Sequence, residues 1–497
     1  MSRNIFPERS QGAAELLANA ESRNVLVVPI DFAKRIHVVQ FARGTGEYLL
    51  KRPLNVRNNV AGKQFLLDRI AKCCAKHRIP KCNVLVGGED PAEYAVNFAL
   101  WVQAAGYRFV RVNPMEAKKH RTNTRATSDA LALDGIAQIM LLRRGYDLQA
   151  HDELYGALKM AERARRSLRK QVTATRNRIH KDVELLCPGL LDRKLSGLLP
   201  FGGGSLELMA TGCSVAQLGR MRTARLVKLL AKAGTQKPAE AAAKLKAFAQ
   251  SALPPDPAIV PYRQRSLAGK VRLFREQCAN LACEENEMAR CLVQTPGFLL
   301  TSIPGLGVVL GGGIVAECGD PDRWPDPDRI ASYAGLAVRQ QQTGGPNSEP
   351  VTGRLPLDAN HHLKDQLLQA AFHVGTTPHP AWQALGLPGH HPLREHYEQI
   401  EQRGGHSRMG TVKKLLRIAR AMMRERRIYL PTAALDPNAP DAMPPVRLIA
   451  YRRAVGRMLV AKWRRYDLEG IPDEANQLKL WLRETDQIEK FLNNQDK

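Results

Sequence analysis

The stretch that most constrains this chain runs from Val25 to Ile36, VLVVPIDFAKRI, where an apolar, β-branched run ends on the carboxylate of Asp31. A run of this length with polar residues after it reads as a buried strand. Burying a carboxylate without a partner is costly. Asp31 therefore needs a hydrogen bond, an ion pair with a neighbour such as Lys34, or a metal, unless it sits at the strand end facing water. A second apolar run, NVLVG from Asn83 to Gly87, leads to Glu89 in GGED, so two strands each deliver an acid at the end.

Length and charge narrow the class. A chain of 497 residues is too long for one core and implies about two to four domains. Its 74 Lys and Arg against 48 Asp and Glu leave a formal net charge of +26. That excess points to a polyanionic partner, nucleic acid ahead of an acidic membrane surface. No apolar run reaches membrane-spanning length, and residues 1–24 lack a signal peptide's apolar segment, so a cytoplasmic location is expected. The 9 cysteines lack paired CxxC spacing and the 13 histidines form no HExxH pattern, which predicts reduced thiols and no zinc.

Residues 1–24 read as a polar extension, followed by strands at 25–31, 36–42 and 47–51 around a GTGE turn. An amphipathic helix from Val60 to His77, a strand at 83–87, a helix at 91–105 and a strand at 107–112 come next. A last helix begins near Thr127 and brings in Asp129. The order β-β-β-α-β-α-β-α is that of an RNase H-like α/β fold over 25–146, in which acids from the first strand, the fourth strand and the final helix converge on divalent metal.

PIDFAK, GGEDPAEY, GYRFVRVNP and SDALALDGIA resemble, in order and spacing, the RuvC-like domain of the DEDD transposases of bacterial insertion sequences. The resemblance implies that Asp31, Glu89 and Asp129 are catalytic ligands of Mg²⁺ (or Mn²⁺). In that family the last two acids stand three residues apart, on one helix face. Around Asp129 those positions are Ala126 and Ala132. Asp134 is the candidate fourth acid, but it lies about 140° around a regular helix from Asp129 and needs a late or distorted helix start. An inactive site lacking one ligand is the alternative.

Residues 147–295 read as a helical, coiled-coil region. From Asp147 to Arg178 there is no proline, and Leu154, Leu158, Ala161, Ala164 and Leu168 recur at helical spacing. Between Arg163 and Lys181 there is no acid, so Arg163, Arg165, Arg166, Arg169, Lys170, Arg176, Arg178 and Lys181 are expected to meet phosphate. The tracts 147–186 and 257–293 are candidates for an antiparallel helical hairpin.

At Leu299 the character changes. IPGLG is a turn that offers backbone amides to a phosphate or simply joins two helices. IPGLG, AECGD, ASYAGL, a QTGG turn, GRL and NHHLKDQLLQAA together resemble the C-terminal, mostly α-helical transposase domain of the same family, here at 296–430. In that family a serine soon after the AGL motif attacks DNA and holds it covalently. The matching position is Thr343, with Ser348 the nearest alternative and an ordinary turn residue the plain reading. A threonine hydroxyl needs a base or a metal to be activated. The closing helix carries an apolar stripe of Val412, Leu415, Leu416, Ile418 and Ala419, and Arg354, Arg403, Arg408, Lys413, Lys414 and Arg417 are expected to bind nucleic acid. Residues 431–497 read as a Pro-rich linker and a helical tail of mixed charge.

The resemblance implies DNA recombination by strand exchange, guided by a structured RNA that the element encodes. It also implies a homo-oligomer, dimer to tetramer, in a bacterial nucleoid, with carboxylates of one subunit facing the nucleophile of another. Two rivals stand beside it. One is a RuvC-like nuclease that uses water. The other is a non-catalytic RNA- or DNA-binding transposase derivative, which Ala132 and Thr343 favour.

Overall fold

The computed structural model describes residues 10–89, 96–121, 128–147, 153–323, 326–337, 340–341, 351–352, 359–387, 389–430 and 443–495. Two compact units divide the chain: Met1–Asp152 with Arg323–Ala359, and Glu153–Asp322 with Asn360–Lys497.

The first unit holds, in order, α1 (Gln11–Asn19), β1 (Leu26–Asp31), β2 (Ile36–Val39), β3 (Ala42–Arg43), β4 (Leu54–Arg57), α2 (Val60–His77), β5 (Val84–Glu89), α3 (Val96–Ala104), β6 (Arg108–Arg111), α4 (Pro114–Lys119), α5 (Asp129–Leu141) and β7 (Tyr146–Asp147). One sheet runs β4-β2-β1-β5-β6-β7, with β3 paired to β1. β1, β5 and β6 are parallel, and the remaining pairings are antiparallel. Side chains alternate across a strand. Leu26, Val28 and Ile30 therefore enter one core with Leu66 and Ile70 of α2 and Phe98 of α3. Val25 and Val27 enter the other with Leu16, Ala117, Ile136 and Met140. Each fully buried Val, Leu, Ile, Phe or Met side chain among them contributes about 1.5–3 kcal/mol. The two-sided burial explains the unbroken apolar run before Asp31.

The strand expected at 47–51 does not form. Tyr48 makes only an isolated bridge to Ala42, and the third long strand is instead Leu54–Arg57. The outer edge of β2 is taken by β4, from Ile36 opposite Arg57 to Val39 opposite Leu54. The apolar Leu49 and Leu50 pack half-buried on the core without a strand partner. The last helix starts at Asp129 rather than Thr127, because the Ser128 hydroxyl caps it by accepting from the Leu131 amide at 3.3 Å.

The second unit opens with α6 (Glu153–Leu186), followed by α7 (Arg193–Ser196), α8 (Gly203–Ala210), α9 (Val215–Arg220), α10 (Thr223–Lys232), α11 (Pro238–Ser251), α12 (Val260–Leu292) and α13 (Val308–Cys318). The chain then supplies the first unit with α14 (Pro327–Tyr333) and the paired β8 (Gln340–Gln341) and β9 (Val351–Thr352). It re-enters the second with α15 (His361–Thr376), α16 (Pro380–Ala384), α17 (Pro392–Gln402), α18 (Ser407–Arg424), α19 (Pro445–Trp463) and α20 (Gln477–Gln495).

The long helices α6 and α12 pack antiparallel. Asp182, near the end of α6, meets Arg263 at 3.0 Å and Lys270 near the start of α12, while Arg165 lies 4.0 Å from Glu285. The last two helices are integral to this unit. The buried Tyr451 of α19 donates to the Tyr429 carbonyl at 2.8 Å and meets His379 Nε2 at 2.9 Å, and Trp463 Nε1 donates to Thr301 Oγ1 at 3.0 Å.

Candidate active site

β1 and β5 run side by side in parallel, with Asp31 directly opposite Glu89 at their carboxyl ends. Gly88 makes that pairing tight. A Cβ there would lie 2.2 Å from the Ile30 carbonyl oxygen and 2.6 Å from the Phe32 ring, so only glycine fits. After Asp31 the chain turns sharply. The Ala33 amide donates to His37 Nδ1 at 3.2 Å, and Phe32 packs edge-on to His37 and Phe98. Asp129 reaches the same site from the first turn of α5.

The electrostatics show that these carboxylates feel one another. Burial pushes the Asp31 carboxyl above its usual range, the charge of Asp129 pushes it further, and Arg121 pulls it back. Burial and the charge of Asp31 likewise raise Glu89, again opposed by Arg121. Arg121 Nη2 lies 3.7 Å from Glu89 Oε1. The cation acting on Asp31 is thus Arg121 and not Lys34, which is exposed in the turn. Among the described residues Arg121 is the cation that opposes the rise at both Asp31 and Glu89, and raised carboxyl pKa values mark carboxylates crowded with too little positive charge.

The other expected ligands are placed differently. Asp134 accepts a hydrogen bond from the Tyr48 hydroxyl at 3.2 Å. Burial and the Asp134 charge together push the Tyr48 pKa up to about 12. Position 132 carries a buried methyl, Ala132. Thr343, Ser348, Arg354 and Ala126 lie outside the described residues. Sequence reasoning missed Arg121 and Tyr48. Arg121 stands just past α4, and no spacing rule links it to Glu89; Tyr48 reads in sequence as a strand residue.

A family model described as a transposase, of the DEDD type found in IS110 elements, matches residues 28–188 and so takes in all three acids. A second, described as "Transposase IS116/IS110/IS902 family", matches residues 298–385. The chain belongs to the IS110 family of insertion-sequence transposases. Among its relatives is the "Insertion element IS110 uncharacterized 43.6 kDa protein" of Streptomyces coelicolor, 26% identical over 279 residues. That match takes in 53% of this chain and 62% of the relative's length.

In this IS110-family chain the basic run of α6 divides into two groups. Arg163 is 3.3 Å from Glu317, Arg165 is 3.8 Å from Glu162, and Arg166 pairs with Asp365, so these three have carboxylates within the unit. Arg169, Lys170, Arg178 and Lys181 are exposed, and exposed Arg176 lies over the Phe201 ring at 4.7 Å. On and before α18, Arg403, Lys413 and Arg417 are exposed. Arg408 lies over Phe372 at 4.4 Å, and Lys414 donates to the Pro392 carbonyl at 3.1 Å.

The IPGLG turn of the IS110 family match is locked from α19. Lys462 Nζ donates to the carbonyls of Thr301, Ile303 and Leu306 at 2.6, 3.2 and 2.8 Å. Burial holds the Lys462 pKa down to about 8. α13 begins just after the turn with no side-chain cap.

One further group of acids gathers in the second unit. Glu162, Glu317 and His362 bring ligand atoms within 4.8 Å of one another, the one such group among the described residues. Glu317 already has Lys159 at 3.5 Å, Arg163 at 3.3 Å and a hydrogen bond from Asn360 at 2.8 Å. Burial alone would raise its pKa, but these partners outweigh burial and lower it. Glu162 has Arg165 and accepts from Gln366 at 2.9 Å. With its carboxylates met by three cations, the group reads as a buried ion-pair network tying α6, α13 and α15 together.

Proposed function

We propose that this chain is a DNA recombinase that cuts and exchanges strands through a covalent hydroxyl–phosphate intermediate, with its first unit an RNase H-like catalytic domain. The observation that carries this reading is the in-register pair Asp31 and Glu89, faced by Asp129, with Arg121 the cation beside them among the described residues. The strand order and the placement of acids on the first strand, the fourth long strand and the last helix support the fold assignment.

Hard oxygen donors in a site short of positive charge fit Mg²⁺ or Mn²⁺, held by Asp31, Glu89 and Asp129. Such an ion, when bound, supplies positive charge against the phosphate and acidifies a hydroxyl. The chain's own residues do the rest. Two strand ends and a capped helix fix the carboxylates rigidly, and Arg121 holds Glu89 in one orientation. The Thr343 hydroxyl loses its proton and its oxygen bonds to phosphorus. The bond to the 3′-oxygen breaks, that oxygen takes up a proton, and a 5′-phosphothreonine remains. Attack by a different 3′-hydroxyl reverses these steps and joins new partners.

Ser348 is the alternative nucleophile. The exposed cations of α6 and α18, with Arg354, are assigned to DNA and to a structured guide RNA, in a homo-oligomer from dimer to tetramer.

A second reading has one observation in its favour. Ala132, one of the two positions where the resemblance expects a fourth ligand, carries a buried methyl, and a protein lacking that ligand would bind nucleic acid without cutting it.

Denaturing electrophoresis of the protein with Mg²⁺, co-purified RNA and labelled element-end DNA separates these readings. A band that survives denaturation and is lost in Thr343→Ala, with DNA binding retained, supports the covalent recombinase. Cut DNA without that band supports a nuclease that uses water. Binding without cutting supports the non-catalytic reading, and recovery of cutting in Ala132→Asp would identify the missing ligand.

A further inference from the structure

The last two helices, α19 and α20, enclose a groove of about 410 Å³ that lies outside both family matches. Between Pro445 and Trp463, α19 carries Arg447, Arg452, Arg453, Arg457 and Lys462 and no acid, and Arg464 and Arg465 follow at once. The acids of this tail all lie outside α19. A solvated helix face normally mixes signs. Gly456 sets how closely the helices approach: a Cβ there would come 3.3 Å from Leu482 and 3.6 Å from the Trp481 ring.

The walls of the groove are built. The Arg452 guanidinium lies 5.0 Å from the centroid of the Trp481 ring and is anchored to Thr485 at 3.2 Å and Glu484 at 3.4 Å. Arg453 pairs with Glu489. Arg457 and Arg464 also line the groove, are exposed, and have no carboxylate partner among the described residues. Val460 and Ala461 give it an exposed apolar strip between these two arginines. The second observation concerns Trp481, which lines the groove and is only 4% exposed. Its indole N–H is buried and has no hydrogen-bond partner among the described residues. A buried donor left unpaired is costly, and a ligand that parts the groove wall to bring an acceptor to it would relieve that cost.

Two uncompensated guanidinium groups, an orphan donor and an apolar strip match the parts of a nucleotide: phosphate, hydrogen-bond acceptor and base or sugar face. We propose that the α19–α20 groove is a binding site for a single-stranded nucleic-acid segment, with its phosphates on Arg457 and Arg464. The one acid that lines it, Asp486, is outnumbered by four arginines, which favours a polyanion over a protein surface. This proposal does not depend on the catalytic reading, since a protein unable to cut DNA would still bind through it.

The test is fluorescence anisotropy of the full-length protein with labelled single-stranded RNA and DNA of one sequence over a range of salt. The double variant Arg457→Glu/Arg464→Glu is compared with Lys479→Glu/Lys490→Glu, the same charge change at positions that do not line the groove. All four residues are exposed, Lys479 pairs with Asp473 at 3.0 Å, and matching thermal melts check that both variants retain the fold. The groove variant is expected to bind at least about tenfold more weakly, with the salt slope reduced by about 1.4 for two phosphates on a single strand. A loss confined to RNA, or to DNA, supports the proposal and names the strand. Equal weakening in the two variants, or weakening in neither, overturns it. So does a change of mass by light scattering with binding intact, which would make the groove a protein-docking surface.

Discussion

Asp31 faces Glu89 across the parallel pairing of β1 and β5, and its charge, after burial, is what raises the Glu89 carboxyl above the ordinary 4.5. Asp31 is itself raised above 3.8 by burial and Asp129. For an acid with a raised folded pKa, the folded state binds more protons than the unfolded chain above the ordinary value. Stability is therefore lost as pH rises from that value through the folded pKa, and the full cost remains at neutral pH. Asp31→Asn is expected to raise Tm by a few degrees at pH 7. The gain should shrink towards pH 4, and thermal melts at both pH values check it.

The same charge shortage predicts stabilisation by divalent cations. A ligand at about 100 times its Kd adds about 2.7 kcal/mol to stability. Mg²⁺ or Mn²⁺ should raise the melting temperature of the parent in calorimetry, and should do so far less in Asp31→Asn. Equal shifts in both proteins would remove these carboxylates from the metal site.

Asp182 is almost fully buried, 2% exposed, between Arg263 and Lys270. Removing one member of a buried pair leaves a charge uncompensated and costs about 3–5 kcal/mol. Arg263 and Lys270 keep about a third of their exposure, so Asp182→Ala should fall near the lower end, about 3 kcal/mol by urea titration. The loss would fall on the α6–α12 hairpin.

Lys462 supplies donors to three carbonyls of the IPGLG region. Lys462→Met leaves them unpaired, at about 1–3 kcal/mol for each buried group that water cannot reach. Its pKa of about 8 lies below the ordinary 10.5, so the unfolded chain binds more protons between those values. The parent's stability should therefore gain from Lys462 as pH rises from 8 to 10.5. The gap between parent and variant in urea midpoint should widen over that range.

What the sequence made legible was local. A strand buried on both faces writes an unbroken apolar run, so VLVVPI and its terminal Asp31 stood out, and NVLVG pointed to Glu89 in the same way. The misplaced third strand shows the limit of that reasoning. Tyr48, Leu49 and Leu50 have strand-like side chains, yet edge pairing with β2 goes to Leu54–Arg57, a choice settled by register across the sheet. Contacts made over long separations left no local trace. Arg121 meets Glu89 only because α4 follows β6 back to the same end of the sheet, and Lys462 reaches Thr301 from far along the chain. The all-basic face of α19 was readable residue by residue, but its cations matter only beside Trp481 of the next helix.

The chain leaves the first unit after Asp152 and returns to it at Arg323, only to depart again after Ala359. On a ribosome adding about 5–20 residues per second, the sheet and its acids emerge on the order of ten seconds or more before the segment that completes their unit. During that interval the nascent protein carries the sheet and its acids without α14, β8 and β9 while the α6–α12 hairpin is being made. For the same reason, no single cut in the gene can separate the two units, and any attempt to express either one must splice across the excursion.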